Sequence, residues 1–516
     1  MNYKLLFLAF LAVKIAFGQQ QATYQAPVFE DATRLQKIEK TFPAVEKIFQ
    51  DYAAARQLPG VAFGVILDGK LVFSKGMGYT DLAKKTPATP QSAFRIASMT
   101  KSFTAMAIMQ LRDAGKLRLD DPAHLYIPEL KRVALLTADA PQITVRNLMS
   151  HSAGFPEDNP WGDRQLADTE AELTQLIEQG VSFANVSGVA YEYSNLGFAM
   201  LGRIITKIAG KPYQQYITEA ILRPLGMNHT YWEYSQVPAP LFAHGYRWQD
   251  GAWQEETPLH DGSHGAMGGL ITTIEDFAKY ATLHLSAWPP RNEADNGPLK
   301  RSSLREMHQP ATFSALNANF KYPDGRICPT TVSYCYGLNH TRDCEGRVYV
   351  GHSGGLPGFG SQWRMLPEYG LAIVSHANLT YAGMGAPNFE ALDNIVKSAN
   401  LQPRQLPASV ILNDRKTQLI KLLPDFKNAS QSGLFAENFF ADYSEAQLRK
   451  TFQDLYAKVG PIKNTTALLP ENQLRGKFLL EGTRANIEIF FTLTPEKTPL
   501  IQQLDVKEVA LMGNVK

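Results

Sequence analysis

The stretch from Ala97 to Ala114 holds no proline or glycine, and Gly115 follows it as a stop signal, so it is expected to form a helix. Met99, Phe103, Met106, Ala107, Ile108 and Leu111 spread over most of its circumference. A helix apolar on most sides must be enclosed by other elements, so this one is expected at the centre of a domain. It carries Lys101 near its head. A lysine taken into a core must be paired or put to use.

Around this helix the pattern is that of a sheet assembled from distant parts of the chain. Val61–Leu67 and Lys70–Phe73 are apolar runs joined by Asp68-Gly69, the signature of a hairpin with a two-residue primed turn. Residues 331–338, 347–353, 361–366 and 370–377 alternate with turns, as adjacent antiparallel strands do. An early hairpin and late strands enclosing a helical middle predict an α/β sandwich, an antiparallel sheet flanked by helices, over residues 35–400. Proline enrichment marks 401–429 as a linker or docking segment. A capping box at Ser444–Gln447 opens a further helix with Leu448, Phe452, Leu455, Tyr456 and Val459 on one face and Gly460 as its stop. Strands expected at 474–480, 486–493 and 500–506 complete a small C-terminal α+β module, 430–516, similar in element order to cystatin-like or NTF2-like modules.

The 516 residues are 44% apolar and 19% charged, with a net charge of +2. That is globular composition with core to spare, and it lends no support to a nucleic-acid partner. Lys4, the apolar run Leu5–Val13 and Ala16-Phe17-Gly18 read as a signal peptide over 1–18, which makes the mature protein secreted or periplasmic. The run is far shorter than the ~20 residues a bilayer span needs, and no membrane span is expected in the mature chain. Export permits a disulfide, and Cys328, Cys335 and Cys344 lie close enough in sequence for two of them to pair. Which one stays odd is open at this stage, as is the oligomeric state.

Three short motifs carry chemistry. In Ser98-Met99-Thr100-Lys101 a three-residue offset sets both side chains on one face of a helix, so the amine can take the hydroxyl's proton. In Tyr193-Ser194-Asn195 a phenol beside an ammonium can lose its proton and serve as base, and the asparagine can bond both lysine and substrate. Ser194 doubles as N-cap of the apolar helix behind it. In His352-Ser353-Gly354-Gly355 small residues let a substrate backbone lie against a strand. The last also fits G-x-S-x-G, a nucleophile elbow, but Pro357, Gly358 and Gly360 forbid the helix that must follow, and only His376 lies downstream. His260 and His264 have a metal-like spacing broken by Gly262, so neither a metal nor another cofactor is expected. His151 reads as a structural loop residue, and the cysteines as structural or inert rather than nucleophilic.

Taken in order, the three motifs resemble those of the serine β-lactamase and penicillin-binding-protein superfamily, in its class C-like branch. That branch includes D-aminopeptidases and family VIII esterases. Leu148–Gly154 and Gly268-Gly269-Leu270 with Thr272, Thr273 and Asp276 resemble two more of its segments. The resemblance covers roughly 40–400. It implies a β-lactamase/transpeptidase-like domain in which Ser98 is acylated, Lys101 keeps its hydroxyl poised and Tyr193 is the general base. Asn195 then orients Lys101 and substrate. Backbone N–H groups of Ser98 and Gly355 form the oxyanion hole, and His352, Ser353 and Gly354 line the substrate. Class C β-lactamases have a lysine where His352 stands. The expectation is therefore an exported serine hydrolase acting on an ester or amide of a small molecule or peptide, with weak β-lactamase activity at most. The rival reading is a catalytically silent sensor of peptidoglycan fragments.

Overall fold

The computed structural model describes residues 24–511. The signal peptide expected at 1–18 lies outside the described residues. The chain divides into two units, Phe29–Arg404 and a second built on Gln405 onward.

The first unit is organised by a nine-stranded antiparallel sheet. Its strands are β1 (Gly60–Leu67), β2 (Lys70–Asp81), β3 (Thr86–Pro87), β4 (Thr312–Asn317), β5 (Thr330–Tyr334), β6 (Asn339–Arg342), β7 (Val348–Leu356), β8 (Phe359–Leu366) and β9 (Leu371–Ala377). They lie in the order β3-β2-β1-β9-β8-β7-β6-β5-β4, so early and late strands meet where β1 pairs with β9. Asp68 and Gly69 both have positive φ, 48° and 81°, which is the primed turn expected between β1 and β2. The strand expected over 331–338 stops sooner, at Tyr334, and a turn leads to the next strand at Asn339. The chain turns back at Gly337, φ 68°, and Cys335 N–H bonds Leu338 C=O, which creates β6. A Cβ at Gly337 would stand 2.6 Å from the carbonyl oxygen of Lys101, so close packing against that helix also demands glycine here.

Strand alternation fills two layers. Ala62 and Ile66 of β1 point into one core, and Val61, Phe63, Val65 and Leu67 into the other. Helices α1 (Phe42–Ala55) and α5 (Gly385–Ser398) cover the second face with Val45, Phe49, Leu392 and Ile395. On the first face lie α2 (Lys101–Asp113), α3 (Asn195–Ala209) and α4 (Ile274–Ser286). Ten of the thirteen residues of α2 are buried, as its all-round apolar surface requires. A disulfide joins Cys328 to Cys344, which leaves Cys335 as the odd, buried thiol.

In the second unit Ser444 caps the helix Glu445–Val459, and Gly460 ends it. Leu448, Phe452, Leu455 and Val459 pack on the unit's own sheet, against Phe478, Ile487, Ile489 and Phe491. The segment read as a linker, 401–429, is a correction. Val410–Lys421 is helical, and Leu412, Leu419 and Phe426 sit in this same core. Prolines flank a docked helix here, and apolar burial outweighs their tendency toward extended chain.

Candidate active site

Ser98 lies in a single 3-10 turn, Ala97–Thr100, that leads into α2. Ala97 holds φ 50°, a left-handed conformation that a residue with a Cβ adopts at a cost, and it sets the serine at the head of the helix. The helix buries Lys101 completely. Its Nζ stands 3.0 Å from Ser98 Oγ, 2.7 Å from Asn195 Oδ1 and 3.0 Å from the carbonyl oxygen of Met267. Burial pulls the amine down to about 7, while Asp163 and Asp158 oppose that fall. A neutral amine has two N–H donors and one lone pair. With both donors given to the two carbonyl oxygens, the lone pair is left for the hydroxyl of Ser98.

Tyr193 shares a hydrogen bond with Ser98, and its ring centroid is 4.8 Å from Lys101 Nζ. Burial raises its phenol well above the ordinary value. This corrects the electrostatics expected from sequence, in which a neighbouring ammonium eases the phenol's ionisation. Desolvation dominates for both groups, and it favours the neutral form of each.

The loop that carries Tyr193 and the helix it enters are pinned largely by residues outside the three motifs. Asp158 accepts the N–H groups of Asn195 (2.7 Å) and Leu196 (2.8 Å), a carboxylate on the positive end of α3. Ser194 caps the helix as expected, its Oγ accepting from Gly197 N–H. Asn195 Nδ2 donates to Asn159 Oδ1 at 2.7 Å, which orients its own Oδ1 toward Lys101. His151 Nδ1 accepts Ser194 N–H, and the ring leans on Tyr193.

His352, Ser353, Gly354 and Gly355 run along β7. β6 pairs with β7 only as far as Gly351, which faces Asn339, so beyond it that edge of β7 is open beside Ser98. A Cβ at Gly354 would come within 2.2 Å of the Ile96 carbonyl oxygen, so only glycine lets β7 approach the serine's turn this closely. His352 is buried, its Nε2 is 2.9 Å from Tyr334 Oη, and burial pushes it down to about 3, so it is neutral. A cleft of about 440 Å³ joins Ser98, Tyr193, His352, Ser353, Gly354 and Gly355, with Asn195 behind Lys101 at its base. Its walls also bring Glu157, Asp163 and Tyr381, none of them signalled by a motif. Asp163 is buried, accepts from Tyr381 Oη at 3.0 Å, and is raised by desolvation.

The elbow geometry is absent. β7 turns at Gly358 straight into β8, and His376 is wholly buried on β9, which is separated from β7 by β8. His264 is enclosed beside Asp168, and His260 is exposed against Tyr234. Among the described residues no cluster of three or more His, Cys, Asp or Glu side chains is placed to hold a metal.

Comparison with known proteins points one way. The family model described as Beta-lactamase matches residues 45–396. Protein flp of Staphylococcus aureus (strain N315) is 28% identical over 382 residues, covering 72% of this chain and 70% of that protein. Beta-lactamase-like protein 2 of Dictyostelium discoideum is 30% identical over 258 residues, 49% of this chain and 47% of its own. The octameric penicillin-binding protein homologue from Pyrococcus abyssi superposes with a TM-score of 0.57 at 21% identity, covering 91% of this chain and 96% of that one, which shows a shared fold.

Proposed function

The chain belongs to the beta-lactamase family, and from that membership we propose that it is a serine hydrolase working through an acyl-enzyme on Ser98. One observation carries the reading: the amine of Lys101 is fully buried and stands 3.0 Å from Ser98 Oγ, where burial pulls it down to about 7.

Lys101 takes the hydroxyl proton as Oγ attacks the carbonyl carbon of an ester or amide. The carbonyl π pair moves onto oxygen, which the N–H groups of Ser98 and Gly355 receive. When the intermediate collapses, the bond to the leaving group breaks and the leaving atom needs a proton. Tyr193, kept protonated by burial, donates it and recovers one from Lys101. Water then repeats the attack on the acyl carbon and Ser98 is restored. Asn195 holds the amine's N–H groups in place throughout, and the open edge of β7 receives the substrate backbone.

The cleft favours esters and peptide-like amides over β-lactams. His352 is neutral, Lys101 is committed to Ser98, and Glu157 and Asp163 line the wall, so a substrate carboxylate meets no free cation among these groups. The disulfide Cys328–Cys344 supports export to an oxidising compartment.

A fluorophosphonate probe followed by peptide mass spectrometry tests the mechanism. The expected adduct is on Ser98 and is lost in Ser98→Ala. An adduct on Ser353, or none on any serine, overturns it.

A further inference from the structure

β8 carries a cation that the catalytic cleft does not use. Arg364 faces away from Ser98, on the side of the sheet that α5 covers, and its guanidinium carbon lies 5.6 Å from the Tyr349 ring centroid and 5.3 Å from that of Phe389. The only charged or ionisable groups that act on it are Tyr349 and Tyr322, and it has neither a carboxylate nor a hydrogen-bond acceptor among the described residues. Arg364 is half-buried, and that burial lowers its pKa.

Arg364 opens into a cavity of about 250 Å³ whose floor is made by β7 and β8. Two further polar groups in its wall are unsatisfied. Thr330 is 3% exposed and Gln362 is 7% exposed, and neither Thr330 Oγ1 nor Gln362 Oε1 has a hydrogen-bond partner. Orphaned buried polar groups are costly, so two in the wall of one cavity, beside a guanidinium that no carboxylate pairs, call for an occupant. Tyr349 and Phe389 supply flat apolar walls.

We propose that this cavity is an accessory binding site for a small oxyanion, a carboxylate with a compact apolar body or a phosphate. The guanidinium fork pairs two oxygens side by side, the geometry for which arginine is suited. The Thr330 hydroxyl and the Gln362 amide, turned to present its NH2, donate to the remaining lone pairs. Tyr349 and Phe389 enclose the apolar part. The occupant is anionic because arginine is the one residue here that stays charged at any working pH.

The test is isothermal titration calorimetry on the full chain with sodium benzoate and, separately, inorganic phosphate, with benzamide as the uncharged control. One site per chain is expected for at least one anion, with Arg364→Gln weakening it about tenfold or more and benzamide binding far more weakly. The tighter of the two anions identifies the ligand class. Should Arg364→Gln fail to fold by circular dichroism, Arg364→Lys keeps charge and bulk but loses the fork, and binding several-fold weaker than wild type is expected. No heat with either anion, equal affinity for benzamide, or binding unchanged by these substitutions overturns the proposal.

Discussion

The imidazole of His151 lies 4.2 Å, centroid to centroid, from the ring of Tyr193, while its Nδ1 accepts the backbone N–H of Ser194 at 3.0 Å. One buried side chain thus holds both the phenol and the backbone that leads into α3. His151 itself has φ 53°, and burial drives its imidazole well below the ordinary value, so it acts as a neutral acceptor. It touches no reacting atom and is a positioning residue.

His151→Ala is therefore expected to lower kcat about ten- to a hundredfold with little change in KM, because Tyr193 loses its support while the β7 edge remains. The orphaned Ser194 N–H should cost about 1–3 kcal/mol of stability. His151→Asn, which restores an acceptor, should recover stability before rate. A change confined to KM would contradict this role.

The amine of Lys101 sets the pH dependence. It is the base when neutral, so kcat/KM should rise about tenfold per unit up to about 7 and level off above, as followed with a p-nitrophenyl ester. Lys101→Arg, which cannot shed its proton, should be inactive.

The same group leaves a mark on stability. In the unfolded chain a lysine titrates near 10.4, so between about 7 and that value the unfolded state binds more protons and stability rises with pH. Below about 7 the penalty of a buried ammonium is fully present. Lys101→Met removes it, so the mutant's Tm relative to wild type should be higher at pH 6 than at pH 9. A Tm difference independent of pH would place the amine in a solvated setting.

Substrate preference follows from charge in the cleft. Against nitrocefin, kcat/KM should fall below that for p-nitrophenyl acetate by roughly ten- to a hundredfold, the worth of a missing charge-assisted hydrogen bond. Glu157→Gln removes one repelling carboxylate from the wall and should narrow the gap several-fold at low salt, with the gain fading at about 0.5 M NaCl. A gap unmoved by this change at any ionic strength would remove the electrostatic explanation.

Truncation should separate the two units. A chain ending at Arg404 keeps both cores of the first unit and the whole cleft, and it should remain soluble and label at Ser98. Ending instead at Gln431 leaves Leu412, Leu419 and Phe426 without the sheet that buries them, and that form should aggregate on size-exclusion chromatography. Loss of labelling in the shorter form would make the C-terminal unit part of the catalytic machinery.

Local sequence was enough where one residue type decides one local outcome. Asp68-Gly69 makes its turn because both residues tolerate positive φ, Ser444 and Gly460 bound their helix by capping, and the apolar girth of α2 forces it inside. Ser98 and Lys101 meet because one helical turn spans the gap between them, and the short motifs named Tyr193 and Asn195 beside them. Burial was beyond the sequence's reach. The direction in which Tyr193 and Lys101 shift depends on how much water each loses, and that is set by Phe198, His151 and Tyr334, brought together from separate elements. Asp158, Asp163 and Glu157 escaped notice because carboxylates in a short proline-flanked segment carry no period, and only folding brings Glu157 and Asp163 to the cleft and Asp158 to the head of α3. The helix Val410–Lys421 was hidden by its flanking prolines, since a local breaker says nothing about a core waiting some 50 residues further on. Arg364 carries no signal of its own in the sequence, because which rings and polar groups stand beside it is decided by neighbours in space.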